Sequence, residues 1–189
     1  MTKQQQAPGE LEHVRAFVNT VDIEEGAEGL AGGADLARWL AGRGLAPAGV
    51  RVTDRELRWS IELREAIRAI LLAHTDRSSP PVQACETLDR AARSARVQLR
   101  FDPHGSSTLE PARAGVEGAL GRLLAIIDRS IADGTWLRLK ACRDHACEWG
   151  FYDHTKNRSG TWCTMEVCGN RAKARAYRGR QAPPSRLRG

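Results

Sequence analysis

The stretch that decides the reading runs Cys142-Arg143-Asp144-His145-Ala146-Cys147-Glu148-Trp149-Gly150-Phe151-Tyr152-Asp153. It closes with Trp162-Cys163-Thr164-Met165-Glu166-Val167-Cys168-Gly169-Asn170-Arg171. Two cysteine pairs, each with four intervening residues, are separated by 15 residues, enough chain to fold back on itself. Four thiolates brought together in this way suit one tetrahedral zinc ion, with zinc–sulfur bonds of about 2.3 Å. Disulfides are the weaker reading, because the start Met1-Thr2-Lys3-Gln4-Gln5-Gln6 lacks the apolar core of an export signal. Reduced cysteines in a small apolar core are the alternative. His145 and His154 lie in or beside the same stretch, and either can replace a cysteine in a site of three cysteines and one histidine.

A shell of four protein ligands leaves no position for a reacting water, so the expectation is one structural Zn2+ and no catalysis at the metal. Trp149, Phe151 and Trp162 are expected to pack around it, and Asp144 and Asp153 to form turns. The zinc then folds a segment too short to bury a core of its own.

Charge follows the cysteines. The chain of 189 residues has a net charge of +6, yet residues 1–137 sum to −2 and residues 138–189 to +8. After Cys168 come Asn170, Arg171, Lys173, Arg175, Arg178 and Arg180 in an alanine-rich run that reads as a helix. At 100° per residue Arg171, Arg175 and Arg178 share one stripe, while Lys173 and Arg180 fall opposite. So many cations with few acids nearby repel one another, and a polyanion relieves that repulsion with release of counterions. Arginine also offers a fork that fits phosphate or a guanine edge. DNA is the expected partner, with RNA the second candidate.

The preceding segment reads as five helices. Leu11, Val14, Phe17 and Val18 recur at helical spacing, and Leu36, Trp39 and Leu40 mark a second helix. Thr53-Asp54-Arg55-Glu56 has the form of a capping box, followed by the apolar face Trp59, Leu63, Ala66, Ile67 and Ile70. Val82 to Ala95 predicts a fourth helix with Cys85 as a buried thiol. Val97 to Phe101 alternates like a strand and turns at Asp102-Pro103-His104-Gly105, and Pro111 opens a long helix that ends at Gly134. The Gly26 to Gly33 stretch lacks the Lys-Ser/Thr of a phosphate-binding loop and reads as a flexible connection.

No serine–histidine–aspartate set or carboxylate pair implies catalysis, so no enzyme is expected. Asn19, Thr20, Arg64 and Arg68 are the candidates for a small-molecule effector pocket. Their competing reading is local capping for the first two and a solvated helix face for the arginines.

The fold class is therefore mainly α: a helical N-terminal domain with one small β-hairpin, then a small four-cysteine zinc-finger module ending in a basic helix. The expected divisions are a disordered N-terminus at 1–9, the helical domain at 10–137, the finger at 138–181 and a basic disordered tail at 182–189. The longest apolar run, around Ala69 to Ala73, is far below the roughly 20 residues that span a bilayer, so no membrane is expected.

The quoted residues resemble the CGNR-type zinc finger. Cys142-x4-Cys147-x-Trp149-x-Phe151-x-Asp153, Lys156-Asn157-Arg158, Trp162-Cys163 and Cys168-Gly169-Asn170-Arg171-x-Lys173-x-Arg175 carry the likeness. Upstream, Phe17-Val18-Asn19-Thr20, Asp35-Leu36-x-x-Trp39-Leu40 and Leu63-Arg64-Glu65-Ala66-Ile67-Arg68 resemble the ABATE-type helical domain that precedes this finger. The resemblance implies a bacterial, stress-induced transcription regulator, with Cys142, Cys147, Cys163 and Cys168 as zinc ligands and the helix from Arg171 to Arg180 on DNA. The helical domain would sense a signal or form a homodimer. Such a protein is expected in the cytoplasm, associated with the nucleoid. An RNA-binding or ribosome-associated module is the runner-up, and an enzyme sited in the helical domain a third reading.

Overall fold

The computed structural model describes residues 6–181. Its elements run α1 (Leu11–Val18), β1 (Val21–Asp22), β2 (Ala27–Glu28), α2 (Gly33–Gly42), α3 (Asp54–Asp76) and α4 (Val82–Ala95). Then follow β3 (Val97–Phe101), β4 (Ser107–Pro111), α5 (Gly115–Ala132), β5 (Leu139–Ala141), β6 (Gly150–Tyr152) and α6 (Asn170–Gln181). The chain is mainly helical, and its strands form three small antiparallel pairs, β1–β2, β3–β4 and β5–β6. The expected tail, with Pro183, Pro184, Arg186 and Arg188, lies outside the described residues.

The capping box at the start of α3 forms in both directions. The Thr53 hydroxyl accepts from the Glu56 amide at 3.3 Å, and the Thr53 amide donates to the Glu56 carboxylate at 2.8 Å. Two otherwise orphaned amides are satisfied, which fixes where the longest helix begins. Its apolar face buries Leu63, Ile67 and Leu71 against Val14, Phe17 and Val18 of α1, Leu36 and Leu40 of α2, and Leu120 and Leu123 of α5. The same cluster continues into Trp136, Leu139, Ala141 and Tyr152. Both strands that bracket the first cysteine pair therefore sit in the core of the helical part.

Several expectations give way to tertiary pairing. Pro111 ends β4, facing Val97, and the helix starts at Gly115. A proline without an N–H is tolerated at a strand end, and the extended chain runs on as Ala112 and Arg113 donate to the carbonyls of Arg96 and Ala95. Gly121 lets α5 approach this hairpin closely: a Cβ there would lie 2.7 Å from both Ala95 and Pro111. Cys85 is exposed, because α4 packs through Ala84, Ala91 and Ala95 and Cys85 lies off that face. The glycine-rich connection, expected to be flexible, supplies β2 of the β1–β2 hairpin, whose turn is fixed by Gly26 at φ +65° and an Asp22 carboxylate accepting from the Glu25 amide. Within residues 6–9, expected to be disordered, Ala7 joins the core and its amide donates to Glu12 at 2.8 Å, while Gln6, Pro8 and Gly9 are exposed.

Candidate metal centre and basic helix

The zinc knuckle is built from backbone outward. Cys142 follows β5, and its amide donates to the Trp149 carbonyl at 3.0 Å, closing the loop that carries the first pair. At its tip the Cys147 and Glu148 amides donate to the Asp144 carbonyl at 2.7 and 2.9 Å, and Glu148 takes φ +46°. Cys163 follows the half-buried Trp162. Cys168 lies in a π-turn, Met165–Gly169, where the Thr164 hydroxyl accepts from the Val167 amide. Gly169 lets the Met165 side chain lie against it: a Cβ would stand 2.7 Å from that sulfur, and the exposed methionine would have to shift.

The four sulfurs of Cys142, Cys147, Cys163 and Cys168 all lie within 4.8 Å of one another. Cys163 stands 3.6 Å from both Cys147 and Cys168. A disulfide would need about 2.05 Å. A tetrahedron with zinc–sulfur bonds of about 2.3 Å has edges of about 3.8 Å. The cluster is thus spaced for a shared cation and too wide for a disulfide.

Its proton chemistry agrees. Hydrogen bonds from Cys147 and then Cys163 hold Cys142 down at about 2, while the Cys147 thiol, bonded to that thiolate, is pushed up to about 12. Cys163 is raised by its bonds to Cys142 and Cys147, and Cys168 is raised chiefly by burial. Four sulfurs this close resist a second negative charge unless a cation joins them. Trp149 and Trp162 pack against the thiols as expected, while Phe151 is buried in β6 outside that cluster.

Neither histidine enters the sulfur cluster. His145 is exposed beside Glu148, and His154 stacks edge-on against Tyr152 and reaches the Gln6 carbonyl. The alternative of three cysteines and one histidine therefore falls.

The four candidate pocket residues spend their polar groups on the protein. Asn19 forms a two-way pair with Gly150: its Nδ2 donates to the Gly150 carbonyl at 2.8 Å, and the Gly150 amide donates back at 2.7 Å. The Thr20 hydroxyl donates to the Phe17 carbonyl and accepts from Arg64. Arg64 clamps both oxygens of Glu28 at 2.7 Å, and Arg68 donates to the carbonyls of Glu148 and Val18. The two arginines are 3% and 2% exposed, so the solvated-face reading of them is wrong. The helical spacing that places them on one stripe could not show that α1 and the knuckle cover it.

Beside the knuckle lies a buried ion pair that no local spacing announces. Lys140 donates to Asp153 at 2.7 Å, to the Arg158 carbonyl at 2.8 Å and to the Gly160 carbonyl at 3.0 Å. Asp153 does form the expected turn, accepting from the amide and hydroxyl of Thr155, but it also anchors the whole loop to Gly160. Burial opposes its ionisation, yet hydrogen bonds from Lys140, Thr155 and Gly160 outweigh it and hold the carboxyl at about 2.

On α6, Asn170 is occupied locally, donating to the Glu166 carbonyl. Arg171 pairs with Glu24 at 2.6 Å and stands 3.5 Å from Asp144, and Arg175 stands 3.2 Å from Asp144. The expectation that acids are scarce around this helix is thereby corrected. Glu24 comes from the β1–β2 turn, 147 positions away, where no local reading would look. Arg171 is half-buried, while Lys173, Arg175, Arg178 and Arg180 are exposed.

Residues 14–134 match the ABATE family, described as "Putative stress-induced transcription regulator", and residues 138–181 match the CGNR zinc finger. Both descriptions are of regulator and zinc-finger types rather than enzymes. No curated protein matches the chain. No helix among the described residues is long and apolar enough to cross a membrane.

Proposed function

Because the chain belongs to the ABATE family and carries a CGNR zinc finger built to hold one zinc ion, we propose that it regulates transcription by binding duplex DNA through α6. The carrying observation is the exposure of Lys173, Arg178 and Arg180 on a helix whose first turn is fixed by the last zinc-site cysteine. Contacts are drawn from Asn170, Arg171, Lys173, Arg175, Arg178 and Arg180. Cations on a rigid rod that enters from a closed metal site suit a groove or phosphate track, and counterion release supplies the affinity. The helical part serves as the sensing or dimerising unit, and its buried contacts to the knuckle give it a mechanical route to α6. The reading places the protein in the cytoplasm, with the nucleoid.

The test is fluorescence anisotropy of the zinc-loaded chain with a labelled duplex across a salt series. Three phosphate contacts give a log–log slope of about −2.7, and five about −4.5. A flat response refutes the proposal. A structured RNA of equal length that outcompetes the duplex turns the same helix into an RNA-binding one.

A further inference from the structure

The cations of α6 fall on two faces, and the rest of the chain treats those faces differently. Arg171 and Arg175, one turn apart, both face Asp144. Asp144 is 3% exposed and lies inside the first cysteine loop, where its backbone carbonyl holds the Cys147 and Glu148 amides. Its Oδ2 is buried and accepts no hydrogen bond from the described residues, so the two guanidinium groups are what offset its charge. Removing them would leave a buried carboxylate uncompensated, a costly state.

The opposite face carries Lys173, Tyr177 and Arg180, which lie within about 60° of one another at 100° per residue. All three are exposed, Tyr177 at 56%, and neither cation has a carboxylate within ion-pair distance among the described residues. Ala176 beside them adds little bulk between the helix and an incoming surface. Lysine and arginine meet phosphate by charge, and a tyrosine hydroxyl donates to phosphate or sugar oxygens. Arg178, two turns beyond Arg171, continues the Arg171–Arg175 stripe past Asp144; it is exposed and has no carboxylate within ion-pair distance among the described residues.

We propose that the face of α6 bearing Lys173, Tyr177 and Arg180 receives the nucleic-acid backbone, and that Arg171 and Arg175 are positioning residues that seat the helix on the zinc knuckle through Asp144. This partition rests on the nucleic-acid reading of α6 and divides its cations between two jobs.

The experiment uses the full zinc-loaded chain with a random-sequence duplex and, separately, zinc transfer to a colorimetric chelator. Lys173→Ala and Arg180→Ala should each reduce the salt slope by about 0.9 and leave zinc transfer unchanged. Tyr177→Phe, which removes only the hydroxyl, should weaken binding at constant slope. Arg175→Ala should leave the slope of the folded protein unchanged and weaken zinc retention about tenfold, as loss of an outer partner of a metal site does. Arg175→Lys, which keeps the charge, should retain most of the zinc, which guards against general misfolding of the alanine variant. The proposal is overturned if Arg175→Ala lowers the slope while zinc retention is normal, or if Lys173→Ala and Arg180→Ala leave the slope of a binding protein intact. A chain with no salt-dependent duplex binding fails the DNA reading instead, and the zinc-transfer arm still decides the positioning role.

Discussion

Arg68 of α3 and Glu148 of the zinc knuckle are joined by a 2.9 Å hydrogen bond from Nη1 to the Glu148 carbonyl, across 80 positions of sequence. The same guanidinium reaches the Val18 carbonyl at 2.6 Å through Nη2 and Glu65 at 2.9 Å through Nε. One buried fork therefore holds α1, α3 and the loop that follows Cys147. Arg15 and Asn19 repeat the pattern one residue pair further on, at the Gly150 carbonyl.

Replacing Arg68 by alanine strands the buried Val18 carbonyl and the part-buried Glu148 carbonyl, and removes a partner of Glu65. A loss of about 3 kcal/mol is expected, in the range for breaking a buried charged network. Urea unfolding measures it. Arg68→Lys should recover only part, because an ammonium cannot reproduce a planar fork. A change below about 0.5 kcal/mol would show that the fork does not hold the knuckle.

Zinc removal should be felt beyond the finger. Leu139, Ala141 and Tyr152 belong to the same apolar cluster as Phe17, Leu63 and Leu71, and the Thr75 hydroxyl donates to the Ala141 carbonyl at 2.6 Å. Chelation should accelerate amide exchange in α1 and in the second half of α3 as well as in residues 139–169. Exchange that rises only within 138–181 would mean that the two parts are energetically separate.

Zinc affinity should climb with pH. Cys147, Cys163 and Cys168 are all raised and must shed protons before their sulfurs can ligate a cation. Competition titrations at pH 6, 7 and 8 should show tighter binding at each step, with protons released on binding. Affinity independent of pH over that range would argue against thiolate ligation.

Asp153 gives acid sensitivity a defined sign. Its ordinary value is 3.8 and its folded value about 2, so the folded state binds its proton more weakly than the unfolded chain does. That stabilisation, about 2 kcal/mol, is fully present well above pH 4 and disappears as pH falls through about 2. Asp153→Asn should remove this part of the acid dependence and destabilise the protein at neutral pH, since Lys140 would stay buried without its counter-charge. Stability against pH, compared between the two proteins, checks it.

Much of this was legible in the chain. The capping box at Thr53 and Glu56, the α3 and α5 stripes, the β3–β4 hairpin and the four zinc-site cysteines are local patterns, and short-range spacing fixes each of them. The β1–β2 hairpin was not legible, because two-residue strands carry too few positions to show alternation. Nor was the burial of Arg64 and Arg68. Composition marks an arginine as solvated, and only partners from other elements bring it inside.

The sequence by itself determined that two closely spaced cysteine pairs, Cys142 with Cys147 and Cys163 with Cys168, can share one metal ion, and that a cationic helix follows the last of them. Ligand spacing and charge are properties of neighbours in the chain. Only the tertiary structure decided which cations of that helix find a carboxylate partner. Glu24 and Asp144 come from remote segments to meet Arg171 and Arg175, while Lys173 and Arg180 on the opposite face meet no carboxylate among the described residues. A charge is spent or available according to what folds against it, and one-dimensional spacing does not contain that fact.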